Sequence, residues 1–178
     1  MFRRPILVHE LVIALNSKLS FVYLVIPIVA ILTARRFDSF VLTSWIIAVF
    51  FGYINQTSLE VLLQGAAFEG SNEETYQLFI HYGTIGLFYM LGVVCVRYGH
   101  MLLKERVGSL AVLYMFSLLF MIVMQIVVYV DVAVFGKTEL VSFVYELGIS
   151  ITHIVIAIFM IWHLLKSLVR GEFRWGSS

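Results

Sequence analysis

The chain has 178 residues, of which 61% are hydrophobic and 13% are charged, and its formal net charge is +1. A soluble domain carries roughly 25% charged residues, so the composition argues against a water-soluble fold, and the small charge argues against a nucleic-acid-binding face. The single cysteine, Cys95, excludes an intrachain disulfide and a cysteine-based metal site. We therefore expect one polytopic domain, residues 1–178, whose solvent is the lipid bilayer.

Five apolar stretches follow one another along the chain, separated by short polar links. A bilayer core about 30 Å thick needs about 20 apolar residues in a helix, and backbone polar groups in lipid must bond within their own segment. The sequence therefore predicts an all-α integral membrane protein, a compact bundle of five transmembrane helices. The stretches run from about Pro5 to Thr33, from Phe40 to about Ala67, from Gln77 to Val96, from Val107 to Val130 and from Leu140 to Leu165.

The first stretch leaves a second arrangement open. Arg3, Glu10 and Ser17 recur every seven residues and form one polar stripe, which is typical of an interfacial helix. The part that follows, Leu19 to Thr33, has 15 residues and is short for a full span. The alternative to five spans is therefore four spans preceded by an N-terminal interfacial helix.

Basic residues are concentrated in alternate links. Arg35, the link from Arg97 to Arg106 and the tail from Lys166 to Arg174 are basic, whereas the link around Glu73 is acidic. Because cytoplasmic loops carry an excess of lysine and arginine, we place the basic links and the C-terminus in the cytoplasm. The expected location is the cell membrane, as a multi-pass inner-membrane protein with the acidic link outside.

Polar and ionisable residues recur near the outer side of the predicted bundle. An ionisable residue at membrane depth costs about 2.5–3.5 kcal/mol on insertion scales. These residues therefore indicate a polar vestibule or ion pathway, open to the outside, that narrows toward Gln56, Gln125 and His153. The alternative is that the acids lie near helix ends and reach water, while His153 is a packing residue. The residues are Gln56, Glu60, His81, Gln125, Asp131, Glu146 and His153.

Two histidines allow a second chemical interpretation. His100 and His163 fall near the cytoplasmic ends of the third and fifth stretches, and two imidazoles at equal depth could ligate one haem b. Haem b is therefore an alternative cofactor, whereas the main interpretation needs none. No two residues have a characteristic metal-ligand spacing such as His-x-x-x-His, so we expect no metal site.

Small residues mark the third stretch as a helix that contacts others. Gly83, Gly86 and Gly92 lie within its apolar run, although they form no GxxxG motif. Glycine lets a neighbouring helix come close in lipid. We therefore expect close helix packing at these positions.

The functional prediction depends on what the chain lacks. No nucleophile and base can be paired from the sequence, and the links are too short for a soluble active site, so we expect no enzyme activity. The two halves show no repeat of the kind that transporters pair about a central site. We therefore expect a small membrane subunit that acts through oligomerisation, or through membrane or cytoplasmic partners, to transmit a signal or pass a small ion. The alternatives are a haem b-binding anchor of a redox complex and a small-solute or ion transporter that acts alone.

Overall fold

The computed structural model describes residues 19, 21–33, 38–51, 73–136 and 138–169, with only the backbone described for 73–78. Nearly all of these residues are helical, and none of them lies in a strand. The expected all-α class is therefore correct for this part of the chain. The helices are α1 (Phe21–Thr33), α2 (Ser39–Ile47, continued by a π-helical turn to Phe51), α3 (Glu73–Leu102), α4 (Ser109–Val130) and α5 (Glu139–Val169).

Three helical segments are long and apolar enough to cross a bilayer. They are Phe79–Leu102, Ser109–Phe135 and Glu139–Val169, and the shortest, with 24 residues, extends about 36 Å at 1.5 Å per residue. α1 and α2 are shorter apolar helices within the described ranges. The last three predicted spans are therefore present as helices of spanning length. The start of the first stretch and the end of the second lie outside the described residues.

α3 ends later than the sequence predicts. The predicted link begins at Arg97, but Arg97 lies within α3, which ends at Leu102. The chain then turns at Lys104, whose φ of 53° is left-handed, and the amide of Glu105 donates to the carbonyl of His100 at 3.1 Å. A left-handed residue after a helix lets the next amides satisfy the last carbonyls. The basic link is therefore short, and residues 103–108 define what we call the basic end of the bundle.

α4 is the central helix of the described bundle and contacts α2, α3 and α5. Its opposite end leads through a π-helical turn into α5, and residues 131–138 define the turn end of the bundle. The buried residues of α4 are spaced by three or four along the chain, so they share one face. They include Leu110, Tyr114, Leu118, Met121 and Val128.

Gly92 makes the closest approach between α3 and α4. A Cβ atom placed on Gly92 would lie 2.8 Å from Cδ1 of Leu118 and 3.4 Å from the ring of Phe50, whereas no atom of the described residues lies within 4 Å of the same position on Gly83 or Gly86. The predicted close packing is therefore found at Gly92. Gly83 and Gly86 have no such neighbour in the part of the chain that the structure describes.

Substitution of Gly92 tests this contact. We expect Gly92→Val to lower the free energy of unfolding by about 1–3 kcal/mol, because extra methyl groups overpack a filled core. The matched variant Gly83→Val enters open space and should change stability by no more than about 0.5 kcal/mol. Equilibrium unfolding in mixed micelles, followed by circular dichroism, measures both. Equal effects of the two variants would contradict the assigned contact.

Candidate functional site

The seven residues predicted to line a vestibule fall into different environments. Gln56 and Glu60 lie outside the described residues. Of the others, the structure buries Gln125, Asp131 and His153, leaves His81 half-buried and exposes Glu146. The three buried side chains have different neighbours, so they form three separate structural features.

Asp131 closes the connection between α4 and α5. One of its carboxylate oxygens accepts a hydrogen bond from the backbone amide of Thr138 and the other accepts one from the Thr138 hydroxyl, each at 2.8 Å. Gly136, with a φ of 74°, supplies the left-handed residue that ends the π-helical turn. These contacts assign a turn-stabilising role to Asp131.

Gln125 joins α4 to α5 in the half of the bundle near the turn end. Its Nε2 donates to the hydroxyl of Tyr145 at 2.7 Å. Its Oε1 is buried and has no hydrogen-bond partner among the described residues. A buried amide oxygen without a partner carries a desolvation cost of about 1–3 kcal/mol. Gln125 is therefore a polar side chain that is only partly satisfied by the described residues.

His153 lies in an aromatic cluster in the middle of α5. Its ring packs edge to face with Phe51 at a centroid distance of 4.5 Å and with Tyr23 at 6.3 Å. The hydroxyl of Tyr23 donates to the backbone carbonyl of His153 at 2.6 Å. Phe51 in turn packs against Tyr114 at 5.7 Å. The cluster therefore ties α1, the end of α2, α4 and α5 together at one depth.

These aromatic partners were not identified from the sequence. Tyr23, Phe51 and Tyr114 come from three segments far apart in the chain, and each lies in an apolar run where an aromatic residue is expected. No spacing within one helix shows which of them meet. Tyr145, the partner of Gln125, was not identified for the same reason.

His100 is fully engaged in hydrogen bonds at the basic end. Its Nδ1 is 2.8 Å from the carbonyl of Val96, and its Nε2 is 2.7 Å from the hydroxyl of Ser39. Because a carbonyl can only accept, Nδ1 carries the proton and Nε2 accepts from Ser39. The oxygen of Ser39 also accepts from the amide of Gly108 at 2.9 Å. Ser39 therefore connects the start of α2, the end of α3 and the start of α4.

His163 lies close to the same group of helix ends. Its ring stacks on Phe40 and on Phe159 at centroid distances of 5.6 Å and 5.1 Å, and its Nε2 is 3.4 Å from the hydroxyl of Ser109. The prediction that both histidines lie near one end of the bundle agrees with these contacts. The bonds at both ring nitrogens of His100, however, do not favour the haem alternative.

A lateral groove of about 540 Å³ separates α3 from α4 in the half of the bundle near the turn end. Cavities of roughly 300–1,000 Å³ are typical of binding sites. No charged side chain lines it, and the side-chain oxygen and nitrogen atoms come from tyrosine, threonine and glutamine. The lining residues include Phe79, Tyr82, Gly83, Gly86, Gln125 and Tyr129.

Comparison with known proteins does not identify the role of the groove or of the buried polar residues. No family model, no curated protein and no solved structure matches the chain. Within the described ranges, no group of three or more histidine, cysteine, aspartate or glutamate residues is placed to hold a metal ion. The function is therefore inferred from the groove and from the contacts at the two ends of the bundle.

Removal of the Ser39 hydroxyl tests the connection at the basic end. Ser39→Ala leaves Nε2 of His100 and the amide of Gly108 without their partner, and we expect a loss of about 1–3 kcal/mol in the free energy of unfolding. The control is Ser44→Ala, because the Ser44 hydroxyl donates only to the carbonyl of Val41 in its own helix. Chemical unfolding in micelles compares the two. A Ser39→Ala variant as stable as Ser44→Ala would refute the assignment.

Proposed function

We propose that this chain is a small multi-pass subunit of the cell membrane that acts by assembly, with the groove between α3 and α4 as the face that takes a transmembrane helix of another subunit. Through that contact it transmits a signal or supports the passage of a small ion. The observation that carries the proposal is a pair of glycines on the wall of the groove, Gly83 and Gly86, which no described side chain covers.

The two halves of α3 differ in how they are covered. Near the basic end, α2 packs on α3, with Leu42 at 3.3 Å from the Cβ position of Gly99 and Phe50 at 3.4 Å from that of Gly92. Near the turn end, Phe79 and Leu87 are exposed by 58% and 71%. In lipid, small residues let helix backbones approach closely. The half of α3 near the turn end, which carries Gly83 and Gly86, is therefore suited to a contact with a helix of another molecule.

The rim of the groove supports the same interpretation. Tyr82 and Tyr129 pack edge to face there, with a ring centroid distance of 6.5 Å, and both rings line the cavity. Polar side chains can join helices in lipid by hydrogen bonds. The groove is a concave surface between α3 and α4 with tyrosine hydroxyl groups near it. A third helix can pack into such a groove between two others.

Among the described residues, the polar groups of the core near the basic end form no continuous path. Near the basic end, the buried hydroxyls of Thr43, Ser44 and Ser117 donate to carbonyls of their own helices, and the apolar core includes Ile47 and Leu110. This arrangement supports assembly over the alternative of a transporter that acts alone. If an ion passes, its path is formed by more than one subunit.

The proposed topology has five spans, with the basic end of the bundle on the cytoplasmic side. α1 and α2 belong to the first two of five spans, and the basic end, which carries Lys104 and Arg106, faces the cytoplasm together with the C-terminus. Tyr98 and Trp162 are exposed by 53% and 62% near that end, as expected for an aromatic belt at the headgroups. The turn end and the groove then lie in the outer half of the membrane.

Reporter fusions test this orientation. A reporter that is active only in the cytoplasm should be active after Ser178 and silent when fused at Gly70, because the basic residues hold the C-terminal side in the cytoplasm. Activity at Gly70 with silence at Ser178 would reverse the proposed topology.

Filling the groove tests the assembly. We expect Gly86→Leu to weaken association at least about tenfold, or 1.4 kcal/mol, because the new side chain occupies the space of the partner helix. Val155→Phe adds bulk to an exposed position of α5 and is the control. Native mass spectrometry of the complex released from nanodiscs gives the assembly size, and thermal unfolding shows that both variants fold. Unchanged assembly in Gly86→Leu would rule out the groove as the contact face.

A further inference from the structure

The two ends of the bundle carry opposite charge. The segments that adjoin the basic end, residues 35–38, 97–106 and 166–174, contain eight basic and three acidic residues. The segments that adjoin the turn end, residues 69–74 and 131–139, contain one basic and five acidic residues. Clusters of lysine and arginine beside a bilayer attract the headgroups of anionic phospholipids. The basic end therefore has the charge that such a lipid requires.

The last turns of α5 extend from the hydrocarbon core into the headgroup region. α5 has 31 residues and a length of about 46 Å, whereas the core is about 30 Å thick. Ile158, Trp162 and Lys166 recur every four residues, so they share one face. Ile158 and Trp162 are exposed by 60% and 62%, and Lys166 is also exposed.

The order of these three side chains matches the order of groups in a phospholipid. Toward the basic end, the face presents first the aliphatic Ile158, then the indole of Trp162 and finally the ammonium of Lys166. A phospholipid in that leaflet presents its acyl chains, its glycerol backbone and its phosphate in the same sequence. Tryptophan is enriched at the level of the headgroups, where it can contact the glycerol backbone.

The start of α4 brings a second basic residue beside this face. Oγ of Ser109 is 3.4 Å from Nε2 of His163, which lies three residues before Lys166 on the same side of α5. Arg106 is exposed, and its Cα atom lies within about 11 Å of that of Ser109. Both chain segments lead from this contact toward the basic end, so Arg106 and Lys166 can approach one phosphate group.

We infer that an anionic phospholipid binds where the start of α4 meets the end of α5, with its phosphate between Arg106 and Lys166. Its acyl chains lie along Trp162 and Ile158, in the leaflet that the basic end faces. The arginine fork and the lysine point charge are the side chains that bind phosphate oxygens best. A zwitterionic headgroup adds a cationic amine, which the basic end repels, so phosphatidylglycerol is preferred over phosphatidylcholine. This site is separate from the groove and does not depend on assembly.

Native mass spectrometry of the purified full chain in detergent micelles tests the site. Palmitoyl-oleoyl phosphatidylglycerol is titrated, and phosphatidylcholine with the same acyl chains is the comparison lipid. We expect phosphatidylglycerol to bind at least about fivefold more tightly. Arg106→Gln and Lys166→Gln should each lower its affinity about fivefold, because one basic residue near the surface contributes about that factor. Thermal unfolding checks that both variants fold.

Lys104→Gln is the matched control. Lys104 is also exposed at the basic end, but it follows the end of α3, so its substitution should leave the affinity nearly unchanged. A loss in Lys104→Gln equal to that in Lys166→Gln would indicate diffuse attraction by the basic end and overturn the inferred site. Equal binding of the two lipids would overturn the choice of an anionic lipid.

Glycerol 3-phosphate separates a lipid site from a site for free phosphate compounds. It carries the phosphate group without acyl chains, so at equal concentration it should not displace phosphatidylglycerol. Displacement would overturn the role of Ile158 and Trp162 and favour a site for a soluble phosphate ester.

Discussion

The close approach of α3 and α4 at Gly92 determines where the other features of this protein lie. Because glycine has no side chain, Leu118 can fill the space over the backbone of α3, and this contact sets the register of the two antiparallel helices. The same register brings Tyr82 opposite Tyr129 toward the turn end and brings the end of α3 to the start of α4. The position of the groove therefore follows from one van der Waals contact.

The two ends of the bundle are held together by different interactions. At the basic end, Ser39 connects three helix termini through His100 and Gly108. In a medium without water such bonds are costly to break, because the freed groups find no other partner. At the turn end, Asp131 joins α4 to α5, and the groove lies between α3 and α4.

The sequence predicted the long helices better than it predicted the roles of the buried polar residues. The uncharged run of α4 and the apolar runs of α3 and α5 predicted three helices of spanning length, since lipid permits no other use of such runs. Asp131 and His153 were recognised as unusual at their depth. Their roles were not, because Thr138 and the rings of Phe51 and Tyr23 become their neighbours only after the helices pack. Arg97 was placed in a link because charge suggests exposure, yet a charged residue near a helix end can remain helical and extend to the interface.

The sequence by itself determined the helical class, the presence of three helices of spanning length and the list of polar residues in the apolar stretches, because these depend on hydrophobicity and local hydrogen bonding. Which glycine is covered was decided only by the tertiary structure. Gly83, Gly86 and Gly92 all lie in the same apolar run of the sequence. Among the described residues, α4 places a side chain, Leu118, against Gly92 and none against Gly83 or Gly86. The same holds for His100 and His153, since one becomes hydrogen-bonded at both ring nitrogens and the other becomes packed among aromatic rings. The physical reason is that helix pairing depends on side-chain shape across distant segments, which no local pattern contains.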